Sequence, residues 1–398
     1  MYTTDQWNVG KKIIESLQQC GHEAVFVGGA VRDYVCKKEA NDIDIATSAL
    51  PEEVKCVFKR TADVGLAHGT VLVIEEGIPI EVTTFRTDGE YEDHRRPAEV
   101  KFVRSLEEDL KRRDFTMNAL AMTEDFKIID LFDGQADLRQ GLIRTVGNPL
   151  NRFKEDALRM LRGIRFTAQH GFAIETTTFK AIKACAHDLS YVSVERVTAE
   201  LEKIWTSNNL YTGINNLVKS NLAAQLPGDY PYAHQKWEDL GNPQNVLVCW
   251  AFLCLLQDQP SVLELARDYR LSKDAQRQIG RLVAATQIRC LRAFTIEDLY
   301  HFEEDILIKA EMLSQTLGSK HEPIPKELLS ERKKSLPIQS SKDLTITGRD
   351  LMQWFDKPGG AWLKETLTQV EFAVLHQKVE NNAEKIKEWL MNESNSEV

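Results

Sequence analysis

Asp42 and Asp44 are the residues of this chain whose type and spacing indicate the most specific chemistry. They flank Ile43 and precede the short run Ile45-Ala46-Thr47. Successive side chains of an extended strand point to opposite faces, so the two aspartates would face one side while Ile43 points into the core. Four carboxylate oxygens aimed at one place suit a hard divalent cation such as Mg²⁺.

A glycine pair lies about a dozen residues upstream of these aspartates. Gly28 and Gly29 follow the apolar run 24–27 and precede Arg32, a pattern typical of a strand, a tight turn and a helix start. The exposed backbone N–H groups of such a turn can hold phosphate. A metal site close to a phosphate site predicts nucleotidyl transfer, and the arrangement resembles the polymerase-β-type nucleotidyltransferases, in which a glycine-rich turn precedes a strand with two metal-binding aspartates.

Glu81 is the candidate for a third catalytic carboxylate. It alternates with Ile80 and Val82 in an apolar run, so its side chain would lie on the other face, where a neighbouring strand could bring it near the two aspartates. An ordinary exposed strand glutamate remains the alternative. Arg32 and Arg113 are candidates for triphosphate contacts, because guanidinium groups offer forked donors to phosphate oxygens.

The segment 155–166, EDALRMLRGIRF, is the second candidate site. On one helix, Asp156 and Arg159 would be neighbours at i and i+3, and Arg162 and Arg165 would continue the row. A carboxylate beside a guanidinium can match the amino group and ring nitrogen that cytosine and adenine both present, whereas uracil and guanine place a carbonyl opposite the carboxylate. The pair could therefore select C and A; an ordinary ion pair on a solvated helix face is the alternative.

Several motifs, taken in order, resemble those of the class II CCA-adding enzymes, the bacterial tRNA nucleotidyltransferases. They are GGAVRD at 28–33, DIDIAT at 42–47, RRDFTMNA at 112–119, Asp133-Gly134 with Arg139 to Arg144, EDALRMLRGIRF at 155–166, SVER at 193–196 and ITGRDL at 346–351.

The resemblance implies a catalytic head at 1–150, a base-selecting neck at 151–207, a body at 208–322 and a tRNA-binding tail at 323–398. Asp42 and Asp44 would hold Mg²⁺ and act in catalysis with Glu81, while Gly29, Arg32 and Arg113 would contact CTP or ATP. Asp156, Arg159, Arg162 and Arg165 would complete the nucleotide site, the first two as the base-reading pair. The partners would be CTP, ATP and tRNA, held at its 3′ acceptor end and elbow.

The elements that must position these residues are of two kinds. Up to about residue 150, helices alternate with β-rich runs, including a hairpin at 70–83; the charged stretch 87–99 is predicted as a mobile loop. Beyond it the apolar spacing is helical almost throughout. The fold class is α+β: a polymerase-β-type head with a mixed sheet and helices, followed by an all-helical neck, body and tail. The helical segments are predicted near 152–170, 176–188, 194–207, 244–257, 272–289, 296–317, 359–377 and 380–391.

The composition of the 398-residue chain is that of a globular protein, with 42% apolar and 28% charged residues. No apolar run is long enough to span a membrane and the N-terminus lacks a leader pattern, so a cytoplasmic protein without a membrane partner is expected. Seven cysteines without a CxxC pair predict reduced core thiols. Although the formal net charge is −10, residues 139–165 carry seven basic and two acidic residues, as expected for phosphate binding on one surface.

Related activities remain open at this stage. A poly(A) polymerase, or an enzyme that adds only CC or only the terminal A, would share the head and neck motifs; the charged loop 88–96 favours an enzyme that switches from C to A. A non-catalytic RNA-binding protein with a decayed head is opposed by the intact Asp42 and Asp44. A transferase for small molecules is opposed by the long helical half, and the sequence leaves a homodimer open.

Overall fold

The chain forms two compact units in the computed structural model, which describes residues 5–40, 42–65, 69–88, 91–92, 96–97 and 100–396. One unit comprises Met1–Trp237, Gly241–Val246 and Asp268–Arg270, and the other comprises Glu238–Leu240, Leu247–Arg267 and Leu271–Val398. Among the described residues, no helix is both long and apolar enough to cross a membrane. The boundaries predicted at 150, 207 and 322 remain predictions.

The first unit contains a sheet and the helices around it. Its strands are β1 (Ala24–Val27), β2 (Asp44–Thr47), β3 (Thr61–Gly65), β4 (Thr70–Glu75), β5 (Ile78–Thr84), β6 (Arg86–Asp88), β7 (Tyr91–Glu92), β8 (Arg96–Pro97), β9 (Val100–Phe102), β10 (Leu120–Met122), β11 (Ile128–Asp130), β12 (Leu142–Ile143) and β13 (Ala173–Ile174). Its helices are α1 (Asp5–Gln19), α2 (Gly29–Val35), α3 (Pro51–Val57), α4 (Leu106–Lys111), α5 (Gly134–Gln140), α6 (Pro149–Glu155), α7 (Leu158–His170), α8 (Thr176–Cys185), α9 (Val194–Trp205) and α10 (Leu210–Lys219).

The remaining helices belong mostly to the second unit. They are α11 (Lys236–Asp239), α12 (Val246–Leu255), α13 (Val262–Asp268), α14 (Lys273–Leu291), α15 (Ile296–His301), α16 (Glu304–Thr316), α17 (Lys326–Lys334), α18 (Gly348–Phe355), α19 (Ala361–Leu375) and α20 (Ala383–Ser396). The predicted change from an α/β first part to a helical second part is confirmed.

The main sheet has seven strands in the order β11-β10-β1-β2-β5-β4-β3. Only β2 and β5 pair in parallel; the other neighbours are antiparallel. The predicted hairpin is formed by β4 and β5, which turn at Glu76 and Gly77. Because β2 lies between β1 and β5, the end of β1 and the start of β2 lie beside the middle of β5.

The alternation of strand side chains separates an apolar core from the face that carries the carboxylates. Phe26, Ile43 and Ile45 are buried in the large apolar cluster on one face of the sheet. Val27 and Ala46 belong to a smaller cluster on the other face. Two-residue spacing along β2 places Asp44 on the same face as Ala46.

Three details differ from the expectations. The strand begins at Asp44, so Asp42 precedes it. The stretch 87–99 contributes to two short antiparallel pairs, β6 with β9 and β7 with β8, because main-chain hydrogen bonds can form a ladder whatever the charge of the side chains. Residues 89–90, 93–95 and 98–99 of the predicted loop lie outside the described residues. The neck contains a strand, β13, which pairs in parallel with β12.

The seven cysteines are thiols rather than members of disulfides, but not all of them lie in the core as predicted. Cys185, Cys249 and Cys254 are buried, whereas Cys20 and Cys56 are exposed. Cys20 lies just beyond the last residue of α1.

Candidate active site

A cavity of about 920 Å³ in the first unit brings most of the candidate residues together. Asp44, Glu81, Gly29, Arg32, Arg113, Asp156, Arg159, Arg162 and Arg165 all line it. Its lining contains nine Lys or Arg and five Asp or Glu side chains, a formal charge of +4 in a chain of −10. The cavity is therefore suited to a polyanionic ligand.

The sheet register places the glycine turn and the carboxylates side by side. Asp44 is paired with Val27 of β1 on one side and with Glu81 of β5 on the other. Gly28 follows Val27 and has φ = 75°, a conformation that glycine adopts without steric cost. A Cβ at Gly28 would lie 3.4 Å from Asp44 Oδ2 and 3.5 Å from Arg113 Nη1, so the turn passes directly under both side chains.

The carboxylates repel one another in a way that a cation would relieve. Burial and, next, the charge of Glu81 raise the pKa of Asp44 to about 6, with Arg113 opposing them and Asp42 adding a smaller increase. Asp42 is exposed and does not line the cavity, yet it is close enough to affect Asp44 in this way.

These residues fit a magnesium ion bound together with a substrate. Within the described ranges, no three acidic, histidine or cysteine side chains converge tightly enough to enclose a metal ion. Mg²⁺ is commonly held by one or two carboxylates, with water and substrate phosphate oxygens filling the other positions. Two aspartates at the edge of a cationic cavity supply that donor set.

Arg32 and Arg113 are both held by hydrogen bonds that they donate to neighbouring side chains. Arg32 donates to Asp33 at 2.9 Å and to the Asn118 side chain at 2.9 Å. Arg113 donates to the buried Asp109 at 3.0 Å. Each guanidinium is thus oriented at the cavity wall before a ligand binds.

The helix predicted over 152–170 is interrupted at Asp156, so the prediction of one continuous helix was wrong. Helix α6 ends at Glu155, Asp156 has extended backbone angles (φ −145°, ψ 105°), and α7 begins at Leu158. The Asp156 carboxylate accepts a hydrogen bond from Leu158 N at 3.1 Å, a local side-chain-to-backbone bond that competes with helix continuation. Asp156 and Arg159 are therefore not i, i+3 neighbours on a helix, although both line the cavity.

Asp156 is held by a second helix that sequence reasoning left without a role. Arg196 of α9 donates to Asp156 Oδ2 at 2.7 Å. Arg159, 8% exposed, donates to Glu155 at 2.6 Å and to the carbonyl oxygen of Arg112 at 3.1 Å. The side chains of Asp156 and Arg159, predicted to read the base, are therefore both held in place by hydrogen bonds to neighbouring residues.

Arg162 and Arg165 each pair with a carboxylate from another element. Arg162 donates to Asp114 at 2.7 Å; burial would raise the pKa of Asp114, but Arg162 lowers it to about 2. Arg165 donates to the buried Glu200 of α9 at 3.0 Å. The alternative of a solvated helix face is wrong for Arg159 and Arg165, which are buried.

Three of the arginines surround the ring of Phe166, a residue not identified as functional from the sequence. Arg165, Arg32 and Arg162 lie 4.4, 5.8 and 5.9 Å from its ring centroid. His170 stacks on the same ring at 5.8 Å, and burial lowers the pKa of His170 to about 3, so it adds no charge. Cation–π contacts of this kind stabilise guanidinium groups that would otherwise repel one another.

Other cavity residues were missed from the sequence: Asp114, Asn118, Arg196 and Lys203. Glu200, the partner of Arg165, was missed as well. Asp114, Asn118 and Arg196 lie within the quoted motifs, so a signal was present. Glu200 and Lys203 follow Arg196 at helical spacing along α9, but nothing in the sequence shows which face of that helix meets the cavity. Of the basic run 139–165, only Arg159, Arg162 and Arg165 line the cavity, so the run does not form one surface.

Models of three protein families match successive parts of the chain. The poly A polymerase head domain matches residues 24–144, the probable RNA and SrmB-binding site of polymerase A matches 171–229, and the putative tRNA nucleotidyltransferase domain 2 matches 242–390. The range matched by the first model, 24–144, contains the glycine turn, the carboxylates and Arg113.

Relatives match over nearly the whole chain. A CCA-adding enzyme of Bacillus cereus (strain B4264) is 42% identical over 395 residues, which are 97% of this chain and 98% of that protein. One from Bacillus cytotoxicus is 43% identical over 387 residues, covering 95% and 96%. The crystal structure of the Bacillus stearothermophilus CCA-adding enzyme in complex with CTP has a TM-score of 0.87 at 39% identity and covers 99% of each chain.

Proposed function

We propose that the chain, which belongs to the family of CCA-adding enzymes, builds and repairs the 3′-terminal CCA of tRNA from CTP and ATP. The nucleotidyltransferases of this family are metal-dependent. No nucleic-acid template is required, because protein groups choose the base. We further propose that it acts in the cytoplasm, where tRNA, CTP and ATP meet; a homodimer remains open.

The proposal rests on one observation: a single cavity contains both the carboxylates beside the glycine turn and the carboxylate–guanidinium pair at the start of α7. Asp44 and Glu81 lie at one strand register, beside the glycine turn. Asp156 and Arg159 line the same cavity from the start of α7 and the residues before it. A nucleoside triphosphate has matching parts, with phosphates that need cations and a base whose pairing edge needs one acceptor and one donor.

Asp42 and Asp44 are the residues that would hold Mg²⁺. Bound there, the metal supplies two effects: it lowers the pKa of the tRNA 3′-hydroxyl and stabilises the charge of the leaving pyrophosphate. Glu81 is assigned to the same catalytic group because it is the register partner of Asp44.

The chain's own residues bind and align the reactants. Gly29, Arg32 and Arg113 would hold the triphosphate, with Arg162 and Arg165 completing the cationic wall. The 3′-hydroxyl oxygen of tRNA attacks the α-phosphorus, and the bond to the bridging oxygen breaks to release pyrophosphate. Alignment and charge neutralisation are the main requirements of such a transfer.

Asp42→Ala tests the metal assignment. It should reduce incorporation of both C and A by more than a hundredfold, because one carboxylate ligand of the cation is lost. Binding of tRNA, measured by gel shift, should stay within about twofold. Asp63→Ala, at an exposed acidic position of β3, is the control and should retain activity. An Asp42→Ala enzyme that kept appreciable incorporation would contradict the assignment.

The rival within the same chemistry is a poly(A) polymerase, or an enzyme that adds only CC or only A. The family matched over the full chain favours CCA addition. A growing A tail on a tRNA that already ends in CCA would instead identify the poly(A) rival.

A further inference from the structure

Two threonines line the active-site cavity without a part in the proposed chemistry. The hydroxyl oxygens of Thr83, on β5, and Thr70, on β4, are 3.0 Å apart, within hydrogen-bond distance. Both side chains are partly buried. The metal, the triphosphate and the base are all assigned to other residues, so this pair of hydroxyl groups is left to contact another part of the reactants.

The sheet register places the pair on the face that carries the carboxylates. Thr83 follows Glu81 by two residues, so both side chains lie on the same face of β5. Thr83 is paired with Ala46 of β2 on one side and with Thr70 of β4 on the other. Across the sheet, the order is therefore the glycine turn at the end of β1, then Asp44 on β2, then β5, and finally Thr70 on β4.

Nucleotidyl transfer separates the two reactants across Asp44. The attacking and leaving oxygens lie roughly in line on opposite sides of the α-phosphorus. The proposed function places the triphosphate, and with it the leaving pyrophosphate, at the glycine turn beside β1. The attacking 3′-oxygen must then approach from the β5 side. Because neighbouring strands are about 4.8 Å apart, the sugar that carries this oxygen extends over β5 and β4.

The two hydroxyl groups can both donate to a ligand and accept from it. Each has one O–H donor and two lone pairs, and the bond between them uses one donor, whichever residue supplies it. In the part of the chain that the structure describes, neither hydroxyl has a further hydrogen-bond partner. The 2′-hydroxyl of a ribose is likewise a donor and an acceptor, and it lies on the carbon next to the one that carries the 3′-oxygen.

We propose that Thr70 and Thr83 bind the 2′-hydroxyl of the last nucleotide of the acceptor RNA, and so select a ribose end over a deoxyribose end. The inference rests on the proposed function, which supplies the RNA end and its direction of attack. The ribose of the incoming nucleotide is not the expected occupant. It has to connect the triphosphate at the glycine turn to the base at Asp156 and Arg159.

The test measures kcat/KM for C addition to two tRNAs that lack CCA and differ only in the last sugar, ribose or 2′-deoxyribose. Both keep the attacking 3′-hydroxyl. A double variant, Thr70→Val with Thr83→Val, removes both hydroxyls but keeps the β-branched shape that suits a strand. The same two residues changed to Ser keep the hydroxyls. Thr61→Val is the control, on β3 of the same sheet but outside the cavity lining.

Wild type should prefer the ribose end about five- to tenfold, the effect of one hydrogen bond. The double valine variant should lose most of this preference because its kcat/KM falls for the ribose end only. The double serine variant and Thr61→Val should keep the preference. Each ratio is taken within one enzyme, so the fraction of folded protein cancels. Any intrinsic effect of the 2′-hydroxyl on the 3′-oxygen is common to all the enzymes.

A double valine variant that keeps the wild-type ratio would overturn the proposal. So would a wild type without preference, or valine substitutions that change the preference for CTP over dCTP instead. Wild-type enzyme with the ribose-ended tRNA reports separately on the proposed function. If it adds no C, that function fails; if it adds C equally to both ends, the function stands and only this inference fails.

Discussion

Asp44 is half-buried and has two acidic neighbours, so the ionisation of its carboxyl group controls metal binding at this site. Its pKa of about 6 stands above the ordinary value of 3.8 because of burial, then Glu81 and Asp42. Only the ionised carboxylate binds a cation, so the affinity for Mg²⁺ should fall as pH decreases through about 6. Measurement of kcat/KM for CTP at limiting Mg²⁺ between pH 5 and 8 checks this prediction. A required Mg²⁺ concentration that does not change with pH would contradict it.

The raised pKa of Asp44 also affects the stability of the folded state. An aspartate whose folded pKa is raised binds more protons in the folded state than in the unfolded state, so it contributes less stability as pH rises from about 4 to above 6. Without metal at pH 7.5, Asp44→Asn should therefore melt a few degrees higher than wild type, while Mg²⁺ should raise the Tm of wild type only. A variant that melts lower under these conditions would argue against carboxylate repulsion.

Phe166 is expected to position the triphosphate arginines through its ring. Phe166→Leu keeps an apolar side chain but removes the π face shared by Arg32, Arg162 and Arg165. The lost cation–π contacts are worth about 1 kcal/mol or more, so the substitution should raise the KM for CTP and ATP about five- to tenfold, with a smaller effect on kcat. Phe153→Leu, a buried α6 residue that does not line the cavity, is the control for general loosening. Equal effects of the two substitutions would refute the positioning role.

At the scale of elements, the turn between β1 and α2 is constrained by its backbone angles and by the side chains beside it. Gly28 and Gly77 both have positive φ, at 75° and 83°, but a Cβ at Gly77 would meet nothing within 4 Å. Gly28 also has ψ = −142°, a backbone region that is essentially restricted to glycine, so alanine there costs on the order of 1–3 kcal/mol. Only Gly28→Ala places a methyl group against Asp44 and Arg113.

Gly28→Ala should therefore lower kcat/KM at least tenfold beyond any loss seen in Gly77→Ala, and its Tm should fall at least as far as that of Gly77→Ala. Steady-state kinetics and melting curves of both variants give the comparison. A Gly28→Ala enzyme as active as Gly77→Ala would show that the close approach is unimportant.

The elements were predictable where local pattern determines them. Alternation in β5 predicted that Glu81 would leave the core, and the register with Asp44 bears out that geometry. The break at Asp156 was not predictable from apolar spacing, since it depends on one carboxylate that caps Leu158 N and meets Arg196, forty residues later. The contribution of α9 was missed for the same reason: tertiary packing decides which face of a helix meets a cavity.

At the scale of the whole molecule, an acidic chain concentrates positive charge where polyanions would bind. The active-site cavity has a formal charge of +4. The net charge of −10 disfavours nonspecific RNA binding. Recognition is thereby restricted to an RNA that can engage this site.

The central claim is that protein groups choose C and then A without a template. Its most direct test is incubation of tRNAs shortened by one, two and three 3′ nucleotides with each labelled triphosphate and Mg²⁺, with products resolved at single-nucleotide length. We predict that the tRNA lacking three nucleotides gains C, C and A in that order, that the others gain CA or A, and that addition then stops. Incorporation of U or G at comparable rates, or continued growth of an A tail, would contradict the account.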